Sequence, residues 1–284
     1  MTIRCPADGP NVQEAVTRYL SRLGLAASPA PTAAGLAELQ RRHLDAVPYE
    51  NLAMMLGRPD SADPVKSLER IAAGGNAGYC FQHNGAFEVV LRALGFAVQR
   101  RSAQVRGRPV PRPNHLALLV TIDGRRWWPD LGLGDALREP VEVVAGEIRQ
   151  GPFRYEITDV GADGEWTFRH DPAAGSFGVL DVRAGRPSDA QVAEAHRALT
   201  TPPDGRFTGV LVVLRRDDAG TEALRGIRYQ RIGGGAFSRD LESYAAWRAV
   251  LESLGVSLAG VTGEELRSLH ARMLAAHAQW AAAG

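Results

Sequence analysis

Three residue types able to do chemistry together stand in order along the chain: a cysteine, Cys80, a histidine, His115, and an aspartate, Asp130. Cys80 lies in Gly74-Gly75-Asn76-Ala77-Gly78-Tyr79-Cys80-Phe81-Gln82-His83-Asn84-Gly85-Ala86-Phe87, where a glycine-rich turn gives way to a helix. The apolar residues Phe87, Val90, Leu91 and Leu94 follow at i, i+3, i+4 and i+7, and Gly95 supplies the C-terminal cap. Cys80 is therefore expected in the first helical turn. There the free N–H groups and the positive end of the helix dipole favour the thiolate, the reactive form of cysteine. The glycines let the chain turn sharply and let a substrate carbonyl approach main-chain N–H groups. By itself such a cysteine is more often a small buried hydrophobe than a catalyst, so a base and an orienting acid are required elsewhere.

A hairpin supplies both. Asp123-Gly124 between two apolar runs is a two-residue turn signal, and a tight turn pairs Ile122 with Arg125, Val120 with Trp127 and Ala117 with Asp130. Leu116, Leu118, Val120, Ile122, Trp127 and Leu131 then share the core face. His115, Ala117, Leu119, Trp128 and Asp130 share the other. His115 and Asp130 become diagonal neighbours, roughly 7–8 Å apart at the backbone and within side-chain reach. A carboxylate beside an imidazole selects its tautomer and stabilises the imidazolium, and an imidazole beside a thiol takes its proton. A sheet histidine and a strand-end aspartate are ordinary structural residues singly. Together with a helix-tip cysteine they point to a Cys-His-Asp site for acyl transfer or hydrolysis, as in the papain-like arrangement of a helix-borne cysteine facing a sheet-borne histidine.

The elements that must position these groups read as follows. Val12, Val16, Tyr19, Leu20 and Leu23 form a helical stripe stopped by Gly24, and a second helix spans 32–44. Asp63-Pro64 is an N-cap followed by proline at the first helical position, opening a helix through Ile71. Between them residues 43–52 read as a buried turn, with Pro48 barring helix. From Phe96 the pattern turns to strands at 97–105, 116–122, 125–131, 141–144 and 153–158, with a basic, proline-stiffened loop at 106–113. The sheet or small barrel is expected to continue to about residue 200. Strands at 208–214 and 226–231 follow, then helices at 241–254 and from the capping box Thr262-x-x-Glu265. The expected organisation is α+β and multidomain: a helical bundle over 1–95, an antiparallel β-barrel over 96–200 and an α/β lid over 201–284.

Lys+Arg of 33 against Asp+Glu of 32 gives a net charge of +1, which offers no attraction for nucleic acid or an anionic membrane. No apolar run reaches the roughly 18 residues of a membrane span, and residues 1–6 lack a signal-peptide core. The two cysteines, Cys5 and Cys80, suggest neither a disulfide framework nor, with no C-x-x-C or H-E-x-x-H spacing, a metal site. A free thiol suits a reducing compartment, so a cytoplasmic protein is expected.

Gly78-Tyr79-Cys80-Phe81-x-x-Asn84-Gly85, Asn114-His115-Leu116-Ala117-Leu118-Leu119-Val120 and Asp130-Leu131-Gly132-Leu133-Gly134 resemble the motifs of the arylamine N-acetyltransferases. His43-Leu44-x-Ala46-Val47-Pro48-Tyr49-Glu50-Asn51-Leu52 is similar to that family's N-terminal signature, and Thr201-Pro202-x-x-x-Arg206-Phe207 is a weaker match. The resemblance implies a bundle, a barrel and a lid with Cys80, His115 and Asp130 as a triad. It implies ping-pong transfer from acetyl-CoA, through a cysteine thioester, to an arylamine or hydrazine nitrogen, without a metal. It places Leu133, Gly134 and Tyr79 at the substrate and Arg206 and Phe207 at the cofactor. The alternative within the superfamily is an amide synthase that takes a polyketide from an acyl carrier protein and closes a macrolactam. The chain departs from the family pattern at Asn76-Ala77-Gly78, where Arg-Gly-Gly is usual, at Gln82, where Glu is usual, and at Leu133, where Phe is usual. The smaller Leu133 is expected to admit longer acyl groups.

Overall fold

The computed structural model describes residues 10–107, 113–173, 175–201 and 205–283. Cys5 and its leader, the centre of the 106–113 loop and Pro202 lie outside the described residues. The first helices are α1 (Pro10–Arg22), α2 (Ala33–Ala46), the short α3 (Leu52–Met55), α4 (Pro64–Ala72) and α5 (Cys80–Ala93). Local caps set their starts: Thr32 accepts from the Gly35 N–H, and Asp63 accepts from the Lys66 N–H ahead of Pro64. Gly95, at φ +86°, follows α5 in the left-handed region that favours glycine. Residues 80–91 of α5 are all buried, on every face. A single apolar stripe does not anticipate that, because α5 is enclosed by the helices on one side and by strands on the other.

An antiparallel sheet runs in the order β5-β4-β3-β2-β9-β8-β7-β6. Its strands are β2 (Ala97–Val105), β3 (His115–Ile122), β4 (Arg125–Trp128), β5 (Val141–Glu142), β6 (Gly146–Gln150), β7 (Phe153–Thr158), β8 (Trp166–Arg169) and β9 (Val179–Val182). The edge strands β5 and β6 are joined directly through residues 143–145, so the sheet curls into a nearly closed barrel. Its inner face packs Ala117, Leu119, Trp128, Tyr155, Trp166 and Phe168, while Leu118, Val120 and Ile122 on the opposite face pack against α2, α4 and α5. Both faces of β3 are thus buried, where the sequence reading names only one as core. The β3–β4 register is Ile122 to Arg125 and Val120 to Trp127, as the Asp123-Gly124 turn dictates.

A second sheet has the order β1-β10-β11-β12-β13, formed by β1 (Tyr49–Glu50), β10 (Val212–Arg216), β11 (Gly220–Arg225), β12 (Arg228–Gly233) and β13 (Phe237–Asp240). Helices α7 (Tyr244–Ser253) and α8 (Gly263–Ala283) cover it. The segment at 43–52 is therefore not only a turn: Tyr49 and Glu50 pair with Leu214 and Val213, tying the first helices to the C-terminal sheet. The expectation of sheet up to residue 200 also fails locally, since α6 (Asp189–Thr200) is a helix. Its signal was present as Ser188-x-x-Gln191, a capping box whose reciprocal hydrogen bonds form. Among the described residues no helix is long and apolar enough to cross a membrane.

Glu50 is buried at 1% exposure, where its carboxylate accepts from the Leu52 N–H. Burial raises its pKa from 4.5 to about 7. An acid raised in the folded state carries no penalty below its unfolded pKa and the full penalty above its folded one. The stability difference between wild type and Glu50→Gln should therefore move against wild type as pH rises from 4.5 to 7, by on the order of 3 kcal/mol. Denaturant titrations of the two proteins at several pH values across that window measure the difference, in which the buried histidines common to both cancel.

Candidate active site

The local sequence around Cys80 explains its placement. Gly78 has φ +96°, and a Cβ there would lie 2.2 Å from Gln82 Oε1, so only glycine allows Gln82 to fold back. Gln82 Oε1 accepts from the Tyr79 N–H at 3.1 Å, and its Nε2 donates to the Asp60 carbonyl at 2.9 Å. An ionised glutamate could not make the second bond, which gives Gln82 a role of its own. Arg22 donates to the Ile71 and Gly75 carbonyls, and Arg70 donates to those of Asn76 and Ala77. Asn76 exchanges a pair of hydrogen bonds with the Ser257 backbone. The glycine-rich turn is thus held from three directions and presents Cys80, 3% exposed, as the first residue of α5.

His115 begins β3 and Asp130 follows the end of β4. His115 Nε2 lies 2.7 Å from Asp130 Oδ2, and Cys80, which lines the same cavity as His115, is near enough to interact with the ring electrostatically. Burial alone would lower the basicity of the ring. The Asp130 carboxylate and the Cys80 sulfur outweigh it and raise the His115 pKa from 6.5 to about 10. An imidazole held between a carboxylate and a thiol is able to take the thiol proton and to return one to a leaving group.

The β3–β4 ladder ends before Asp130: its last pair is Val120 to Trp127, and β4 itself stops at Trp128. Asp130 is fixed by side chains rather than by the ladder. Its Oδ1 accepts from Asn84 Nδ2 at 3.1 Å and from the Gly132 N–H at 2.8 Å, its Oδ2 accepts from Trp128 Nε1 at 3.2 Å, and its N–H donates to Gln40 Oε1 at 3.2 Å. Asn84 also donates to the Leu116 carbonyl at 2.6 Å and accepts from the Leu131 N–H at 2.9 Å. Lying one turn after Cys80, it locks the cysteine helix to both sides of the histidine–aspartate pair. The sequence reading quoted Asn84 without a role. Its signal was the i+4 spacing from Cys80 on a helix whose neighbours are apolar.

Cys80 and His115 open into a cavity of about 110 Å³ that Leu133, Arg206 and Phe207 also line. Gly134, at φ +74°, borders it, since a Cβ there would strike Leu214 and Tyr49. Gly132 allows the chain to pass against Cys80, where a Cβ would come within 2.4 Å of its Cα. Tyr79 sits outside the cavity lining: it is fully buried, packs tilted against Phe207 with centroids 4.5 Å apart, and bonds His196 Nδ1 through its hydroxyl. Tyr49, Phe177 and Arg225 line the cavity without having been anticipated, because they come from β1, a barrel loop and β11. Among the described residues no cluster of His, Cys, Asp and Glu could hold a metal ion.

The comparisons with known proteins place a chain of this fold among the acyltransferases. The N-acetyltransferase family profile matches residues 32–259. The arylamine N-acetyltransferase of Mycolicibacterium smegmatis is 29% identical over 281 residues, spanning 90% of this chain and 97% of that protein. That of Escherichia coli K12 is 28% identical over 264 residues, spanning 88% and 93%. The solved arylamine N-acetyltransferase of Nocardia farcinica superposes with a TM-score of 0.79 at 26% identity, over 94% of this chain and 98% of that one. The Mycobacterium marinum enzyme, solved in complex with CoA, does so with a TM-score of 0.78 at 24% identity, over 91% and 98%. The chain belongs to the arylamine N-acetyltransferase family and is an acyltransferase.

Asp130→Asn keeps the size of the side chain but removes the charge that holds up the His115 pKa. The ring's NMR titration should move to lower pH, and turnover should fall on the order of 10³-fold or more. The charged ring contributes its stability in full below pH 6.5, and that contribution is lost as pH rises through about 10. The stability advantage of wild type over Asp130→Asn should therefore shrink across that window.

Proposed function

We propose that the protein transfers an acetyl group from acetyl-CoA, through a thioester on Cys80, to the nitrogen of an arylamine or hydrazine. The observation that carries this reading is His115, held on one nitrogen by Asp130 at 2.7 Å and lining the same small cavity as Cys80. In the first half-reaction the thiolate attacks the thioester carbonyl, and the developing oxyanion falls at the start of α5, where first-turn N–H groups have no helical acceptor. His115 gives its proton to the departing CoA thiolate. In the second half-reaction the neutral amine attacks the acetyl-cysteine, His115 takes the proton it sheds, and the Cys80 thiolate leaves. Asp130 keeps the ring oriented and stabilises its charged form in both.

The Arg206–Phe207 wall is assigned to the CoA side of the cleft, and Leu133 with Gly134 to the acyl and amine side. With no membrane-crossing helix among the described residues and a free thiol to keep reduced, the reading places the protein in the cytoplasm. No observation favours a carrier-bound polyketide donor.

Mixing the protein with acetyl-CoA alone should raise its intact mass by one acetyl group, located on Cys80 by peptide mapping. Cys80→Ala should fold, take no acetyl group and turn nothing over; normal turnover in that variant would end the thioester mechanism. Leu133, at the cavity wall, sets how long an acyl group fits. In competition between acetyl- and propionyl-CoA, Leu133→Phe should shift acylation toward acetyl by roughly tenfold, the effect of one methylene in an apolar pocket.

A further inference from the structure

The barrel carries positive charge on its inward face at the end away from the triad. Arg101 of β2 and Arg126 of β4 share the face that elsewhere packs Ala117, Leu119 and Trp128. Arg126 pairs with Thr121, which is about 20 Å along β3 from His115. Gly164, at φ +79° in the turn before β8, lets the two heads converge: a Cβ there would lie 3.2 Å from Arg101 Nη2 and 3.6 Å from Arg126 Nη1. Among the described residues neither arginine forms an ion pair. Arg101 donates to the Arg100 carbonyl and Gln99 Oε1, and Arg126 to the carbonyls of Gly161 and Ala162. The Glu165 carboxylate lies beside Gly161 and pairs with neither. Arg101 is only 5% exposed, and its Nε–H has no acceptor. The indole N–H of Trp166, two residues beyond Gly164 on the inward face, is a second buried donor without one. Burial, and then the charges of Arg186 and Arg126, hold the Arg101 pKa down, as like charges do where no anion lies between them. Arg186 stands with Gln99 on an open groove of about 400 Å³ and also forms no ion pair among the described residues.

We propose that this end of the barrel is an anion site, at which Arg101 and Arg126, with Arg186 at the rim, bind a phosphoryl oxyanion, either inorganic phosphate or the phosphate of a monoester. Two unpaired guanidinium groups beside one buried point repel each other until an anion joins them. A phosphoryl group brings up to two charges and three acceptor oxygens, enough to take paired bonds from more than one guanidinium. A carboxylate brings a single charge and two oxygens. Arg126 is only half-buried, so the site opens to solvent at the barrel mouth. The packed interior of Ala117, Leu119, Trp128 and Trp166 separates it from Cys80, so its ligand is not a reactant in acyl transfer. Its effect is on the folded state: an anion that binds only there stabilises the barrel by mass action.

The test titrates the full chain calorimetrically with inorganic phosphate and with phenyl phosphate, holding ionic strength constant with chloride so that general screening cancels. Wild type should take up one equivalent with a Kd of roughly 1 mM or tighter, and its Tm should rise saturably over the same range. Arg126→Gln should weaken binding by roughly tenfold or more, the loss of a charge-assisted pair, and Arg126→Lys should keep part of it. Both variants should retain wild-type acyl transfer. Arg206→Gln, which removes a cation from the Cys80 cavity, should leave phosphate binding unchanged. Tighter binding of phenyl phosphate supports the site and assigns it to a monoester, whereas tighter binding of phosphate supports it and assigns it to the free ion. Absence of saturable uptake by wild type overturns the proposal and requires no variant to fold. An equal rise in Tm with chloride or acetate overturns it, and so does binding that is lost in Arg206→Gln but kept in Arg126→Gln.

Discussion

A buried carboxylate must be satisfied, and Asp130 is the point at which that requirement organises the molecule. At 2% exposure it accepts from the His115 ring, the Trp128 indole, the Asn84 amide and the Gly132 N–H. Each donor comes from a different part of the chain: β3, the end of β4, helix α5 and the loop that passes Cys80. Removing any one leaves a charge underpaired in a low-dielectric interior, where an unmet polar group is far more costly than at the surface. Satisfying one side chain therefore aligns the helix of the proposed nucleophile with the strand of the proposed base.

Cys80 depends on a second set of constraints, built from backbone rather than charge. The turn that precedes it uses the positive φ of Gly78 so that Gln82 can cap Tyr79; two arginine side chains hold its carbonyls, and Asn76 ties it to the Ser257 backbone. Gly132 lets the segment after Asp130 lie against the cysteine. Preorganisation of this kind fixes the reacting atoms before substrate arrives, which is where catalytic sites gain most of their advantage over water.

The two-residue strand β1 couples these parts to the rest of the chain. Tyr49 faces the cavity while its backbone pairs with β10, and Asn51 bonds the carbonyls of Phe207 and Val210 and the N–H of Val212. Through that contact the C-terminal sheet delivers Arg225 to the cavity, and the turn before it delivers Arg206 and Phe207. The wall opposite Cys80 is therefore set by residues more than a hundred positions away in sequence.

Much of this was legible from the sequence because its causes are local. A glycine turn before an apolar stripe puts Cys80 at a helix start, and Asp123-Gly124 fixes the β3–β4 register as far as Val120 and Trp127. Both depend on neighbouring residues alone. Helix α6 was equally local in its Ser188-x-x-Gln191 cap, but a reading committed to continuous sheet passed over it. The remainder depended on tertiary structure. That Asp130 is held by Asn84 and Gln40, that Tyr49 joins a sheet beginning 160 residues later, and that Arg206 and Arg225 meet over Cys80 are consequences of long-range packing. Periodicity and capping report only which face of an element is buried. What that face is buried against is decided by chain segments whose spacing in sequence carries no trace of their distance in space.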